Sequence, residues 1–319
     1  MTFEVQRHHS AITAFGAYRP ARVVTNTELA EVVDTSDEWI RSRVGITTRY
    51  FAAPDESIAD MAIAAGHAAL SAAHVDPADI DLVIVASCTL ETPIPGAAAE
   101  VAHRLGIDSP GAYDLNAACA GFCYGLAHAS SAIQNGDSRR ALVIGVEKFT
   151  NWTDDSDRTT YIIFGDGAGA AVVSRSEQQL IGPTVWGSCG DRPEIISIPD
   201  RHGVLGMDGR AVFRWATTEM RDEVINICEQ SGVKITDIDV FVPHQANMRI
   251  IDAMLRGLKF RDDTVIARDI ELSGNTSAAS IPLALSSLAK SGQATTGDLV
   301  LVIGFGAGLT FAGQLFVMP

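Results

Sequence analysis

The sequence predicts an α/β fold built from two similar halves, and three features predict it. Apolar runs of strand length, such as Leu82 to Cys88 and Leu299 to Phe305, alternate with alanine-rich helical stretches, the pattern of a parallel or mixed sheet covered on both faces. The segment Ala78-Asp-Ile-Asp-Leu-Val-Ile-Val-Ala-Ser-Cys-Thr89 is echoed by Thr236-Asp-Ile-Asp-Val-Phe-Val-Pro-His-Gln-Ala-Asn247, with Asp79 and Asp237 separated by 158 positions. Leu142-Val-Ile-Gly145 is echoed by Leu301-Val-Ile-Gly304 at a separation of 159. Two echoes at nearly one spacing imply a duplicated unit, divided here into halves 1–176 and 177–319.

Taken in order, Thr25 with Glu28 and Thr35 with Glu38 have capping-box spacing for two early helices. Helices are predicted over Ile58 to Ala73, Ala98 to Leu105, Gly121 to Gln134, Thr217 to Ser231, Ala246 to Leu258 and Ala278 to Lys290. Two glycine runs, Gly165-Asp-Gly-Ala-Gly169 and Gly304-Phe-Gly-Ala-Gly308, resemble dinucleotide loops. Each is followed by an apolar stretch that reads as a strand, so no helix N-terminus is available for a pyrophosphate.

The composition narrows the function classes. With 319 residues, 47% hydrophobic and 20% charged, the chain has enough core for a globular protein of two domains. No apolar stretch reaches the roughly 18 to 20 residues that span a bilayer, and the opening MTFEVQRHHSAITAF lacks the charged start and apolar segment of a secretory leader. A cytoplasmic location is therefore expected. Five cysteines without paired spacing argue against a disulfide framework, and no His or Cys cluster has metal-ligand spacing, so no metal is expected. A net charge of −15 opposes nucleic-acid binding; an acidic partner would need a local basic patch.

Cys119, in Tyr113-Asp-Leu-Asn-Ala-Ala-Cys-Ala-Gly121, stands between a strand and a helix. Unpaired N–H groups at a helix N-terminus stabilise a thiolate, so a lowered pKa and a nucleophilic role are expected; a small buried hydrophobe is the other reading. Adding 158 to this position gives Ser277, within Ser273-Gly-Asn-Thr-Ser-Ala-Ala-Ser280, a second strand-to-helix junction. Sites in open α/β sheets form at the carboxyl ends of strands. A pseudo-twofold axis would therefore bring together Cys119, Asn275 and His244, which ends the strand Val240-Phe-Val-Pro243. For His244 alone, a satisfied core histidine is the alternative. Arg249, Arg256 and Lys259 fall on one helical face opposite Ile250, Ile251, Met254, Leu255 and Leu258, either to dock an anionic partner or simply as a solvated face.

With these residues assembled, the sequence closely resembles the β-ketoacyl-acyl-carrier-protein synthase III family of thiolase-fold condensing enzymes, nearly end to end. The specific pieces are Asp34-Thr-Ser-Asp-Glu-Trp-Ile40, Arg43-Val-Gly-Ile46, Ala117-Ala-Cys-Ala-Gly-Phe122, Asp157-Arg-Thr159, Ile163-Phe-Gly-Asp-Gly-Ala-Gly169, Pro243-His-Gln-Ala-Asn247, Gly274-Asn-Thr-Ser-Ala-Ala-Ser280 and Phe305-Gly-Ala-Gly308. The resemblance implies a five-layered αβαβα homodimer that initiates type II fatty-acid synthesis. It condenses an acyl-coenzyme A starter with malonyl-acyl-carrier protein, which are substrates, and needs no cofactor. It implies Cys119 as nucleophile with His244 and Asn275 as partners, and the amides of Cys119 and Ala307 as oxyanion donors. It also implies coenzyme A contacts at Trp39, Arg43, Arg158, Gly209 and Asn247. Carrier-protein contacts fall at Gln245, Ala246, Asn247, Met248 and Arg249, extended along the basic face to Arg256 and Lys259. Phe305 and Ile94 are implied to shape the acyl pocket, Ile94 by reaching across the dimer.

Loss of CO₂ generates the carbanion without a base, so a third catalytic carboxylate is unnecessary; Glu91, the only nearby candidate, is expected at the surface or an interface. Some positions depart from the family pattern. Ala307 stands where glycine is common and is acceptable only at negative φ. Arg210 and Ala211 replace a polar and an acidic residue, and the loop Pro199 to Gly206 is expected to be short and to leave the pocket mouth open. An acyltransferase priming polyketide or other secondary-metabolite synthesis shares the same triad and remains an alternative. A non-catalytic partner subunit would usually lack the cysteine.

Overall fold

The computed structural model describes residues 7–200 and 202–319. Residues 1–6 of the segment read as carrying no leader, and Arg201 in the loop before Gly206, lie outside the described residues.

Two five-stranded sheets carry the architecture. The first runs His9–Tyr18, Gly167–Ser176, Arg140–Glu147, Leu82–Ala86, Gly111–Leu115 across the sheet, and the second Val185–Gly187, Thr310–Val317, Leu299–Gly306, Val240–Pro243, Val265–Ile266. In both, neighbouring strands pair antiparallel across the first three and parallel across the last three. The order and directions therefore repeat from one sheet to the other.

Helices Gly121–Asn135 and Ser280–Ser291 fill the space between the sheets. They join Ile84, Val143 and Val173 of the first sheet to Val242, Val302 and Phe316 of the second through Phe122, Leu126, Ile281 and Leu285. Burying each of these large side chains contributes about 1.5–3 kcal/mol relative to exposure. Helix Ile58–Ala73 covers the outer face of the first sheet, and helices Gly209–Gln230 and Met248–Gly257 cover the second. The layers thus read αβαβα, the thiolase-like arrangement expected.

Local chemistry sets the helix ends, and three expectations need correction. At the first early helix, Thr25 Oγ1 accepts from the Glu28 amide as expected, whereas the second is capped by Ser36, which accepts from the Trp39 amide at 3.1 Å, and not by Thr35. The long helix of the second half begins at Gly209 rather than Thr217, because Asp208 Oδ1 accepts from the Arg210 and Ala211 amides and Val212, Trp215 and Ala216 bury one face. Helix Met248–Gly257 ends before Lys259, because Leu258 is already extended (φ −104°, ψ 134°); Lys259 is exposed but does not continue the helical stripe. Both glycine runs do lead into strands, Gly167–Ser176 and Thr310–Val317.

Candidate active site

Cys119 lies in a single 3₁₀ turn, Ala118–Ala120, between the strand Gly111–Leu115 and the helix Gly121–Asn135. The turn has a twin, Ser277–Ala279, before helix Ser280–Ser291. Ala118 and Ser277 both sit at left-handed φ, 46° and 47°. Asn116 Oδ1 accepts from the Ala118 amide at 3.1 Å, and Asn275 Oδ1 accepts from the Ser277 amide at 2.8 Å. The register at the site is therefore 159, not 158: Cys119 is matched by Ala278 and Asn275 by Asn116. Because its oxygen is engaged, Asn275 has its Nδ2 end left to donate.

His244 follows the strand Val240–Pro243, its amide held by the Ile303 carbonyl at 2.8 Å. Nδ1 lies 2.8 Å from Ser280 Oγ, which also accepts from the Gln245 amide at 3.4 Å. In the tautomer in which the Ser280 hydroxyl donates to Nδ1, the ring hydrogen stands on Nε2. Phe305 packs its ring edge-to-face against the imidazole at 5.4 Å. Burial lowers the His244 pKa to about 3, so the ring is a neutral donor.

Cys119, His244 and Asn275 line one cavity of about 430 Å³ with largely apolar walls, including Phe149, Phe164, Leu205, Trp215 and Phe305. Residues on both sides of the loop before Gly206 line this cavity. Ile196–Ser197 pairs with Gly206–Met207, and Ile198 and Leu205 join them as one wall. Ala307 is absent from the left-handed residues, so its methyl is accommodated. Gly306 is required for space: a Cβ there would stand 2.8 Å from Cys119 Sγ.

The thiol does not have the lowered pKa expected of a helix N-terminus. Burial pushes Cys119 up to about 12, against opposing contributions from the Ser277 hydroxyl and the amides of Cys119 and Ala307. Desolvation outweighs the donors because the charged form would sit in the apolar wall of the cavity.

A second cavity of about 540 Å³ shares Gly209, Phe213 and Asn247 with the first and is lined by Arg43, Arg210, Arg214 and Arg249. Trp39 is flanked by the guanidinium groups of Arg43 at 5.7 Å and Arg158 at 5.1 Å. Arg210, treated in the sequence as a departure, and Arg214, passed over there, both face this mouth; their i, i+4 spacing behind Gly209 was the available signal.

Other expected contacts do not reach the surface. Gln245 is buried, donating to the Pro243 and Ala267 carbonyls and accepting from the Ile270 amide, and Met248 is buried against Gly45; neither side chain can meet a docked protein. Ala246 lines the cavity, and Asn247 caps the helix through the Arg249 amide. Arg249 and Arg256 are exposed. Ile94 is 87% exposed and stands apart from the cavity. Glu91 is exposed as expected. The carboxylate near the thiol is instead Glu147, fully buried at the carboxyl end of Arg140–Glu147 and overlooked in the sequence. An acidic residue closing the apolar run Ala141 to Val146 was its signal.

His244 also gives a stability prediction. The unfolded chain binds a proton near pH 6.5 that folded His244 refuses until about pH 3. Its contribution is therefore complete above pH 6.5 and declines as pH falls toward 3, by up to about 1.4 kcal/mol per unit. Urea midpoints between pH 6.5 and 4.5 are expected to fall more steeply for the parent than for His244→Asn; parallel slopes would contradict a buried neutral ring.

The two repeated halves, layered together as αβαβα with a thiol opening onto a cavity that both line, define a thiolase-fold condensing acyltransferase. Residues 113–190 match the family model for 3-oxoacyl-[acyl-carrier-protein (ACP)] synthase III, and residues 228–318 match the model for its C-terminal part. The chain is 45% identical over 322 residues to a β-ketoacyl-acyl-carrier-protein synthase III of Streptomyces glaucescens, covering 98% of this chain and 97% of that one. It is 49% identical over 313 residues to synthase III 2 of Streptomyces avermitilis, covering 97% and 99%. Among solved structures, the priming β-ketosynthase of the R1128 polyketide pathway superposes with a TM-score of 0.97 at 42% identity, over 100% of this chain and 98% of that one. The 3-oxoacyl-acyl-carrier-protein synthase III of Aquifex aeolicus does so with 0.93 at 39% identity, over 97% and 99%. The chain belongs to the β-ketoacyl-acyl-carrier-protein synthase III family. Among the described residues, no helix is long and apolar enough to cross a membrane, and no group of three or more His, Cys, Asp or Glu could hold a metal ion.

Proposed function

We propose that the enzyme initiates type II fatty-acid synthesis, joining an acyl-coenzyme A starter to malonyl-acyl-carrier protein without a cofactor. The observation that carries this reading is the apolar cavity lined by Cys119, His244 and Asn275 beneath a mouth of four arginines. Cys119 attacks the acyl thioester, and the amides of Cys119 and Ala307 hold the tetrahedral oxyanion. Malonyl-carrier protein then enters, and loss of CO₂ places negative charge on its thioester oxygen. His244 Nε2–H and Asn275 Nδ2 are neutral donors for that oxygen. The resulting carbanion attacks the acyl group and frees Cys119.

Trp39, Arg43 and Arg158 take the nucleotide end of coenzyme A, with Gly209 and Asn247 along the path of its arm. Arg249, Arg256 and Lys259, with Arg210 and Arg214 at the mouth, supply a positive surface for the acidic carrier protein on a chain of net charge −15. The homodimer reading is supported by the edge strand Gly111–Leu115, whose outer side pairs with no strand among the described residues, and by exposed Tyr113, Trp186 and Ile94. Ile94 would close the partner's acyl pocket beside Phe305. Five free cysteines support a reducing, cytoplasmic setting.

A second reading, priming of polyketide synthesis, is favoured by the similarity to the R1128 priming ketosynthase. A donor panel with malonyl-carrier protein tests both. Because Ile94 is branched and smaller than an aromatic residue, short branched and somewhat longer starters are expected to yield 3-ketoacyl product besides acetyl. A flat preference for acetyl-coenzyme A would contradict that starter range, and absence of 3-ketoacyl product with every donor would contradict the function.

A further inference from the structure

At the spacing of 159 that relates the two turns, the strands behind them also correspond, Arg140–Glu147 in the first half and Leu299–Gly306 in the second. Each backs the turn of the opposite half. A Cβ on Gly145 would stand 2.3 Å from the Ala278 carbonyl oxygen, and one on its counterpart Gly304 would stand 3.1 Å from the Cys119 carbonyl oxygen. The correspondence breaks at the last residue of the strands. Gly306 leaves room beside Cys119 Sγ, whereas its counterpart Glu147 sets a carboxylate against Ser277 and Ala278.

That carboxylate ties two segments together. Oε1 accepts from Ser277 Oγ at 3.0 Å and from the Ala278 amide at 3.4 Å, both in the second-half turn. Oε2 accepts from Thr89 Oγ1 at 2.6 Å, Ser87 Oγ at 3.1 Å and the Cys88 amide at 3.1 Å, just past the strand Leu82–Ala86. Cys88 Sγ donates to Oε1 at 3.3 Å and stands 3.7 Å from Ser277 Oγ. Ser87, Thr89, Glu147 and Ser277 are all buried, where such bonds are strong and a missing partner is costly. The same turn carries Asn275. Its backbone is held by the Ile163 carbonyl at 2.9 Å and the Gly165 amide at 3.1 Å, and its side-chain oxygen by the Ser277 amide at 2.8 Å. The direction in which Nδ2 donates is therefore set by Ser277, and Ser277 is held by Glu147.

We propose that Glu147 is the positioning residue for Asn275: its carboxylate fixes the Ser277–Ala279 turn to the segment Ser87 to Thr89, and the fixed Ser277 amide holds Asn275 with Nδ2 free to donate into the cavity. The proposal rests on the reading of Asn275 as a donor to the malonyl thioester oxygen. Glu147 itself does not line the cavity and touches no reacting atom. Its effect falls on the decarboxylation step, because a donor displaced by about 1 Å costs about 10²-fold in rate. Acylation of Cys119 draws on the first-half turn, which Glu147 does not hold.

The test compares the parent with Glu147→Met, Glu147→Gln, Ser277→Ala, Asn275→Ala and the double variant Glu147→Met with Asn275→Ala, each checked for a folded state by circular dichroism. Release of CO₂ from malonyl-carrier protein and single-turnover acylation by acyl-coenzyme A are measured separately. Glu147→Met, similar in size but without acceptors, is expected to lower kcat for CO₂ release about 10²-fold, with KM unchanged and acylation not slowed. Glu147→Gln should recover most of that loss. Its oxygen can still accept from the Cys88 and Ala278 amides, and the Ser87 and Thr89 hydroxyls can turn to accept from its NH₂. Adding Glu147→Met to Asn275→Ala should cost nothing further, since the group it positions is already gone. Additive losses in the double variant, equal losses in acylation and CO₂ release, or Glu147→Gln as slow as Glu147→Met would each overturn the proposal. Should Glu147→Met fail to fold, Ser277→Ala decides, because its twin Ala118 already accommodates alanine at this φ. It removes the shorter bond from the turn to Glu147 and should slow CO₂ release alone by about tenfold, the worth of one such hydrogen bond to a charged group; a parent-like rate would overturn the proposal. Should the parent itself release no CO₂, the proposed function fails, and hydrogen exchange at the Ser277 and Ala278 amides still decides the clamp. Faster exchange in Glu147→Met that Glu147→Gln restores supports it, and unchanged exchange overturns it.

Discussion

Replacing Cys119 by alanine is expected to leave a folded protein that takes up no acyl group from acyl-coenzyme A. The side chain is small, and Gly306 packs against it without a side chain of its own, so the cavity loses a sulfur and little else. Intact-mass spectrometry should show one adduct per parent chain and none on Cys119→Ala, and 3-ketoacyl formation should fall to background, because without the sulfur no covalent acyl donor waits for the carbanion. The outcome separates nucleophile from bystander because other thiols are nearby. Cys88 lines the same cavity, and Cys123 lies buried one helical turn beyond Cys119. Acylation persisting on Cys119→Ala would transfer the role to Cys88, whose thiol is pushed well above its ordinary range by burial and by Glu147.

The second large effect is expected at the enolate donors. His244→Ala and Asn275→Ala should each reduce decarboxylation of malonyl-carrier protein by about 10²- to 10³-fold, the usual cost of removing one preorganised donor to a developing oxyanion. Acylation of Cys119 should be affected far less, because its oxyanion is assigned to the amides of Cys119 and Ala307. Asn275 carries an added consequence: its Oδ1 fixes the Ser277 amide, so Asn275→Asp should retain that turn while replacing the donor by an anion. Decarboxylation by Asn275→Asp is therefore expected to be no better than by Asn275→Ala. Release of CO₂ measured separately from acylation distinguishes the two stages, and equal losses in both would contradict the division of labour.

Much of this arrangement is legible in the chain because it is local. Helix Ile58–Ala73 runs over its predicted span, since alanines and the Ser57–Asp60 capping box act within a few residues. The approach of Cys119 and Asn275 was legible from internal repetition, although the two echoes used for it differed by one position. Only the matching left-handed turns at Ala118 and Ser277 settle the register. What stayed hidden depends on distant groups. Glu147 reads as the end of an apolar strand until Ser87, Thr89 and Ser277 are seen to donate to it. Gln245 reads as a surface polar residue until the carbonyls of Pro243 and Ala267 bury it. The depressed thiol pKa expected from the helix N-terminus failed because a motif announces the donors and says nothing of the apolar walls that desolvate the sulfur.

The account's central claim is that a single thiol carries the acyl group between two separable steps, and a chase on the intact chain tests it most directly. Acyl-coenzyme A is added first, the adduct is mapped by peptide mass to Cys119, excess donor is removed, and malonyl-carrier protein is then supplied. The predicted result is loss of the Cys119 adduct with one CO₂ and one 3-ketoacyl-carrier protein formed for each acyl group consumed. An adduct that persists through the chase, or 3-ketoacyl product formed while Cys119 stays unmodified, would contradict it.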